Sequence, residues 1–253
     1  MQPFLLLPLV ALSQQSSRPS SHPGALSKTP REYQRLVCYD LPSQRGQQLV
    51  ATDYLSWLGD MDDRVESCCF TGIWILYAEQ KYNIASPGAS NWYGYGSGLC
   101  FDTPGAFRNV ASSLRYTGAP DDMYHDTVNI YFSEHFNGDE EYTYTDRPQL
   151  NYDNRALSLI VTGCSSWTLY TERSYQGGSV CVGPGDSSCS PGFYPTSSSL
   201  GLVAGSLSSL RRGCYSSTWA RQHGGQEGRV RGAWGATGGF SGGDRGNNTM
   251  SWL

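Results

Sequence analysis

Four short blocks rich in oxygen-bearing side chains recur along this chain. They read Asp62-Asp63-Arg64-Val65-Glu66-Ser67, Arg108-Asn109-Val110-Ala111-Ser112-Ser113, Asp153-Asn154-Arg155-Ala156-Leu157-Ser158 and Ala204-Gly205-Ser206-Leu207-Ser208-Ser209. Carboxylates, amides and hydroxyls are hard oxygen donors suited to a hard cation. The same side chains also close turns through local hydrogen bonds. The copies differ in an ordered way. Odd blocks keep an acidic or amide pair, Asp62-Asp63 and Asp153-Asn154, but place Glu66 and Leu157 before the final serine. Even blocks keep Ser112 and Ser208 there, and put Arg108 or Ala204-Gly205 at the pair. The final serine, Ser67, Ser113, Ser158 or Ser209, is present in all four. A hydroxyl that recurs where the rest of the block degenerates points to a bond that fixes a neighbouring turn, not to a ligand.

Other chemistries find little support. The histidines are His22, His125, His135 and His223, and no Ser/His/Asp or Cys/His arrangement can be built on them. No glycine-rich loop follows a strand and opens a helix, so nucleotide binding is not expected. The net charge is −4 and the basic residues are scattered, which disfavours nucleic acid as a partner. The chain reads as non-enzymatic. Eight cysteines divide four and four between the halves: Cys38, Cys68, Cys69 and Cys100, then Cys164, Cys181, Cys189 and Cys214. That division predicts disulfides closed within each half, in an oxidising compartment, with connectivity open. A zinc site is less favoured, because Cys68-Cys69 lacks ligand spacing.

The blocks must be positioned by a repeat. A tyrosine, an aromatic five residues on and a glycine two beyond occur in full as Tyr131, Phe136, Gly138 and as Tyr170, Tyr175, Gly177; Tyr39 with Gly46 and Tyr77 with Tyr82 give partial copies. Each signature precedes one block, so four units repeat at about forty residues. Charged residues are only 16%, aromatics 13%, and there are 30 glycines. This composition suits strands joined by tight turns, an all-β fold. Segments 35–40, 47–51, 128–132 and 179–182 read as strands, and the glycine ending each signature is where a hairpin folds back. Trp74 and Trp167 occupy matching places in the second and fourth units, pair the units as one with two and three with four, and read as core.

The run Pro3 to Ala11 resembles a short secretory signal and is far too short to span a bilayer. The expected organisation is a signal over 1–13, a flexible leader over 14–32, one pair of units over 33–118, a linker over 119–126, a second pair over 127–214 and a glycine-rich tail over 215–253 without fixed structure, carrying a glycosylation acceptor at Asn247-Asn248-Thr249.

With these motifs assembled, the chain resembles the βγ-crystallin superfamily, whose units are Greek keys with a Tyr-x-x-x-x-aromatic-x-Gly folded hairpin locked by a later serine. The resemblance implies two Greek-key β-sandwich domains. The first half departs more: Gln44 replaces the corner aromatic, Ile84 stands where glycine is due, and segments 86–98 and 183–199 lengthen the even units. The resemblance also implies that the blocks are calcium signatures, each site drawing oxygens from both units of a pair. Crosswise sharing leaves one complete Ca²⁺ candidate per half, Asp62 or Asp63 with Ser112, and Asp153 or Asn154 with Ser208. A Glu66–Asn109 site is opposed by Arg108. The expected function is a secreted structural or binding protein, weakly calcium-binding, its partner an extracellular protein or glycan. Two alternatives are a defence or recognition protein, lectin-like or a toxin's partner, that uses the lengthened segments with Trp92-Tyr93 in the first, and an enzyme inhibitor.

Overall fold

The computed structural model describes residues 33–222 and the backbone of 234–236. The expected signal and leader, His22, His223, the glycosylation acceptor and the rest of the tail lie outside the described residues. The first half holds β1 (Arg35–Leu41), β2 (Arg45–Ala51), β3 (Ser67–Tyr77), β4 (Asn91–Asp102) and β5 (Ser113–Tyr116). The second holds β6 (Thr127–Tyr131), β7 (Glu140–Thr143), β8 (Ser158–Thr162), β9 (Trp167–Glu172), β10 (Gln176–Val182), β11 (Gly192–Tyr194) and β12 (Ser209–Arg212), followed by β13 (Trp234–Ala236). A four-residue helix, Ser197–Leu200, and short 3₁₀ turns complete the described elements. Among the described residues no helix is long and apolar enough to cross a membrane.

All pairings between these strands are antiparallel. In the second half they form a β11-β8-β6-β7 sheet and a β10-β9-β12 sheet, whose inward faces share one apolar cluster. The chain passes between these sheets at Gly163, with φ at +76°. In the first half the matching passage is continuous. β3 pairs with β1 along its first part and β5 along its last, bending at Gly72 (φ +93°), while β4 follows it throughout. A single long strand pair therefore replaces the sheet break of the second half, and segment 86–98 is mostly strand. Trp92 is buried in the first core and Tyr93 packs on Phe136 and Phe193, so this pair does not sit on a projecting loop. Trp74 and Trp167 are fully buried in their respective cores.

Disulfides Cys38–Cys68, Cys69–Cys100, Cys164–Cys189 and Cys181–Cys214 all close within their own half. Cys68 and Cys69 face opposite sides of β3, so one dipeptide ties that strand to both neighbours, Cys38 of β1 and Cys100 of β4.

The tail does not lose its structure at Tyr215. Cys181 of β10 donates its amide to Thr218 O at 2.8 Å and its carbonyl accepts from the Ala220 amide at 2.8 Å, and Gln222 Nε2 donates to the Gly183 and Pro184 carbonyls. An exposed strand edge leaves unpaired backbone groups, and residues 215–222 satisfy those of β10. Glycine content predicted freedom, but the first eight tail residues are held by the Cys181–Cys214 link and this edge.

Candidate functional site

The four oxygen-rich blocks are four tight turns with one geometry. The second residue of each pair, Asp63, Asn109, Asn154 or Gly205, lies in the left-handed region with φ of +53°, +56°, +60° and +69°. Asn, Asp and Gly reach this region most readily, which explains their presence in every copy. Each of these residues donates its amide to the fourth residue of the partner block: Asp63 to Ala111 O and Asn109 to Val65 O, then Asn154 to Leu207 O and Gly205 to Ala156 O. Blocks one and two thus clasp each other reciprocally, as do three and four.

The final serines behave alike. Ser67, Ser113, Ser158 and Ser209 accept the amides of Gln44, Tyr82, Phe136 and Tyr175 and donate to the carbonyls of Leu41, Glu79, Ser133 and Glu172. All four are fully buried. Each locks the folded hairpin of its unit, where the corner residue also sits at positive φ, Gln44 included. Gly138 and Gly177 close the complete hairpins at φ +81° and +79°, and a Cβ there would stand 2.8 Å from Ser133 Oγ and 2.5 Å from Thr171 Oγ1. Valine at either position is expected to cost about 1–3 kcal/mol through strain and crowding. Ile84, at φ −57° and 43% exposed, is the control, and Ile84→Val should change stability by under about 0.5 kcal/mol in urea unfolding. Wild-type stability in both glycine variants would remove the hairpin assignment.

The clasp brings the predicted oxygens together. In the first half the Ser112 hydroxyl favours the charged form of the Asp63 carboxylate, and Trp57 Nε1 donates to Asp62 Oδ2 at 3.1 Å. Asp62 Oδ1 is buried with no hydrogen-bond partner. Burial first, then the charges of Asp62 and Glu79, push the Asp63 carboxyl above its usual range. Arg64, inside the block, turns away to Asp40 at 2.7 Å. The second half has the same frame with different charge. Ser208 Oγ lies 3.1 Å from Asn154 Oδ1 and 2.9 Å from Thr171 O, and Asp153 Oδ1 is again buried without a partner. Here Arg173 reaches Asp153 Oδ2 with Nε and a terminal nitrogen, both at 2.9 Å. The Ser208 hydroxyl, and then Arg173, hold the Asp153 carboxyl below its usual range against the opposing effect of burial.

At the crosswise position in the first half, Asn109 Nδ2 donates to Glu66 Oε1 at 2.8 Å and Arg108 Nε stands 4.0 Å from Glu66 Oε2. The side-chain charge there is answered internally.

Among the described residues no three His, Cys, Asp or Glu side chains gather closely enough to hold a metal unaided. Calcium takes six to eight oxygens, so hydroxyl, amide and backbone oxygens would have to complete a shell. The orphaned Asp62 oxygen and the Asp63 carboxylate beside it fit such an ion; the second half's frame fits it less well, because Arg173 already neutralises Asp153. Glu79 and Arg173 were missed in sequence. They lie two and three residues after Tyr77 and Tyr170, inside the hairpin signatures, so the repeat offered a register for finding them.

No family model and no curated protein sequence matches the chain. Among solved structures it is similar to Geodin, a βγ-crystallin from Geodia cydonium, at 22% identity and a TM-score of 0.56, covering 71% of this chain and 99% of that one. Matches to about a third of this chain include a βγ-crystallin from Ciona intestinalis (21% identity, TM-score 0.30, 34% of this chain and 98% of that one) and one from an archaeon (26%, 0.30, 34% and 96%). With locked hairpins, clasped blocks and this likeness in hand, the chain has the βγ-crystallin fold, its four Greek-key units arranged in two pairs.

Proposed function

We propose that this is a secreted, non-catalytic structural or binding protein of an oxidising compartment that takes up calcium weakly in its first half. Four disulfides support the compartment. The observation that carries the calcium reading is the buried, unpartnered Asp62 oxygen beside Asp63, whose carboxyl is raised by burial and by neighbouring negative charge. A divalent cation would relieve that charge; in the second half Arg173 already does so. Asp62, Asp63 and Ser112 would hold the ion, and its role would be to fasten the two blocks of the clasp.

With one or two full charges among its ligands, the site should bind with Kd on the order of 10⁻⁴ M or weaker. Millimolar calcium would then stabilise the chain by about 1–2 kcal/mol. Protons retained by Asp63 compete with the ion, so affinity should fall as pH drops through that group's raised pKa. The test is calorimetric titration and melting of the full chain with calcium and with chelator. Asp62→Ala with Asp63→Ala should abolish the response, Asn109→Ala should leave it, and Arg173→Gln should add a second, Asp153-dependent binding event. Superimposable melts in the two buffers, with no heat of binding, would return the acidic pairs to turn formation alone.

A further inference from the structure

A cleft between the two halves, about 290 Å³ in volume, is lined by Tyr54, Tyr116, Tyr142 and Tyr144, with Asp53 at its rim and Gly118 and Pro120 completing the wall. It lies apart from the clasped blocks. Tyr54 and Tyr116 meet edge to face with centroids 4.8 Å apart, and Tyr142 and Tyr144 do so at 5.7 Å. Both pairs are anchored from behind. The Tyr54 hydroxyl donates to Glu140 Oε1, Tyr116 packs on Trp74, and Tyr144 packs on the His125 ring. Tyr54, Tyr116 and Tyr144 are therefore held by structure that does not depend on a ligand, and Tyr142 leans on Tyr144.

The electrostatics select the ligand. Tyrosine faces carry negative quadrupole density, which attracts cations. Asp53 adds a full negative charge. Burial, and then nearby carboxylates, push the phenol of Tyr116 up to about 12, so that ring stays neutral at ordinary pH. Three arginines near these residues already have partners: Arg115 pairs with Glu140 at 3.6 Å, Arg212 with Asp126 at 3.5 Å, and Arg147 donates to Thr143 Oγ1 at 3.1 Å. An anion would meet rings and a carboxylate. A small hydrated metal ion would find one carboxylate where it needs six or more oxygens. What remains is a cation that sheds water cheaply and offers methyl groups to aromatic faces. The volume is at the small end of ligand pockets, so the ligand is small.

We propose that this cleft binds an organic cation of the quaternary-ammonium class, enclosed by Tyr54, Tyr116, Tyr142 and Tyr144 with Asp53 as counter-charge. The probe is choline chloride, titrated calorimetrically into the full chain at constant ionic strength, with the uncharged tert-butyl isostere of choline as control. Choline should bind with Kd on the order of 1 mM, and the isostere at least about 10-fold more weakly, because shape is kept and charge removed. Tyr142 is 49% exposed, so Tyr142→Ala can be read without loss of the fold. It should weaken choline at least about 3-fold, Asp53→Asn likewise, while Tyr142→Phe, which keeps the ring, should bind as wild type. Phosphatidylcholine and phosphatidylglycerol vesicles distinguish the source: retention on the former that Tyr142→Ala removes places the cation on a lipid headgroup, and choline binding without retention places it on a free solute. Equal affinity for the isostere, binding of galactose or glucose without choline, or no choline heat up to about 50 mM would each overturn the proposal.

Discussion

Replacing Arg115 with methionine in the full chain should cost about 3–5 kcal/mol, a large part of the stability of a protein of this size. The guanidinium is 1% exposed and sits in β5 of the first half. It donates from Nε to the Tyr77 hydroxyl at 2.8 Å and from a terminal nitrogen to Phe136 O at 3.0 Å, with Glu140 Oε2 3.6 Å away. The rings of Tyr77, Tyr82 and Tyr131 lie 4.8–5.1 Å from its central carbon. Burial disfavours this charge, but Glu140 together with Tyr77, Tyr131 and Tyr54 outweighs it and the guanidinium is held firmly protonated. Phe136, Tyr131 and Glu140 belong to the second half, so the network fastens one half to the other. It lies beside an apolar cluster of Ile75, Tyr77, Tyr131, Phe136 and Ile160, drawn from both.

The cost arises because methionine fills the space but leaves Glu140 buried without its counter-ion. Glu140→Gln should be similarly damaging from the other side, whereas the double variant should recover at least about 1 kcal/mol relative to the sum. Arg211 is the internal control. It holds the matching place in β12, bonded to the Tyr170 hydroxyl at 3.1 Å and stacked over Tyr215, but it is more open to solvent and no carboxylate depends on it in the same way. Arg211→Met should cost about 1 kcal/mol. Urea unfolding of the four variants settles the comparison. Additive single losses, or an Arg115 variant as stable as the Arg211 variant, would show that the buried pair contributes nothing specific to joining the halves.

Much of the frame was legible because local backbone chemistry was legible. The glycines at 138 and 177, the final serines and the acid or amide pairs each answer a conformational demand within one unit or between two paired units, and such demands leave the same or a conformationally equivalent residue at the same place in most copies. The degenerate copies were informative too. Gly205 stands where Asp63 and Asn154 stand because all share a left-handed backbone, so the metal reading and the turn reading drew on the same letters. Features set by packing at a distance were hidden. Arg115 and Glu140 are 25 positions apart in different units, and nothing in either segment names the other, although Ser-Leu-Arg recurs at 113–115 and 209–211. The stretch Asn91-Trp-Tyr-Gly-Tyr-Gly-Ser-Gly looked like a loop because glycine blurred its alternation. Gly96 serves close approach instead, a Cβ there falling 2.9 Å from Leu99, and Gly98 takes a left-handed backbone at φ +68°.

Removing Cys181–Cys214 by paired alanine substitution should cost about 3–4 kcal/mol by loop entropy alone, since the bridge spans 33 positions. The instructive comparison is Cys164–Cys189, spanning 25 positions. Chain entropy scales with the logarithm of loop length, so these two bridges should differ by only about 0.2 kcal/mol on that ground. Their surroundings differ far more. Cys181 is fully buried in β10, next to Val180 and Val182 of the second core, and its backbone carries the Thr218 and Ala220 bonds that seal the sheet edge. Cys164 is exposed and Cys189 half-buried at the surface. Loss of the first bridge should therefore free residues 215–222 and leave a small void in the core, adding at least about 1 kcal/mol to its entropic cost. Loss of the second should stay near the entropic value. Urea unfolding of the two double variants measures the difference, and hydrogen exchange at the backbone amides of positions 181 and 220 reports whether the edge opens. Equal losses with protected amides at both positions would mean that the tail holds the edge by itself, and that the bridge acts on the unfolded chain alone.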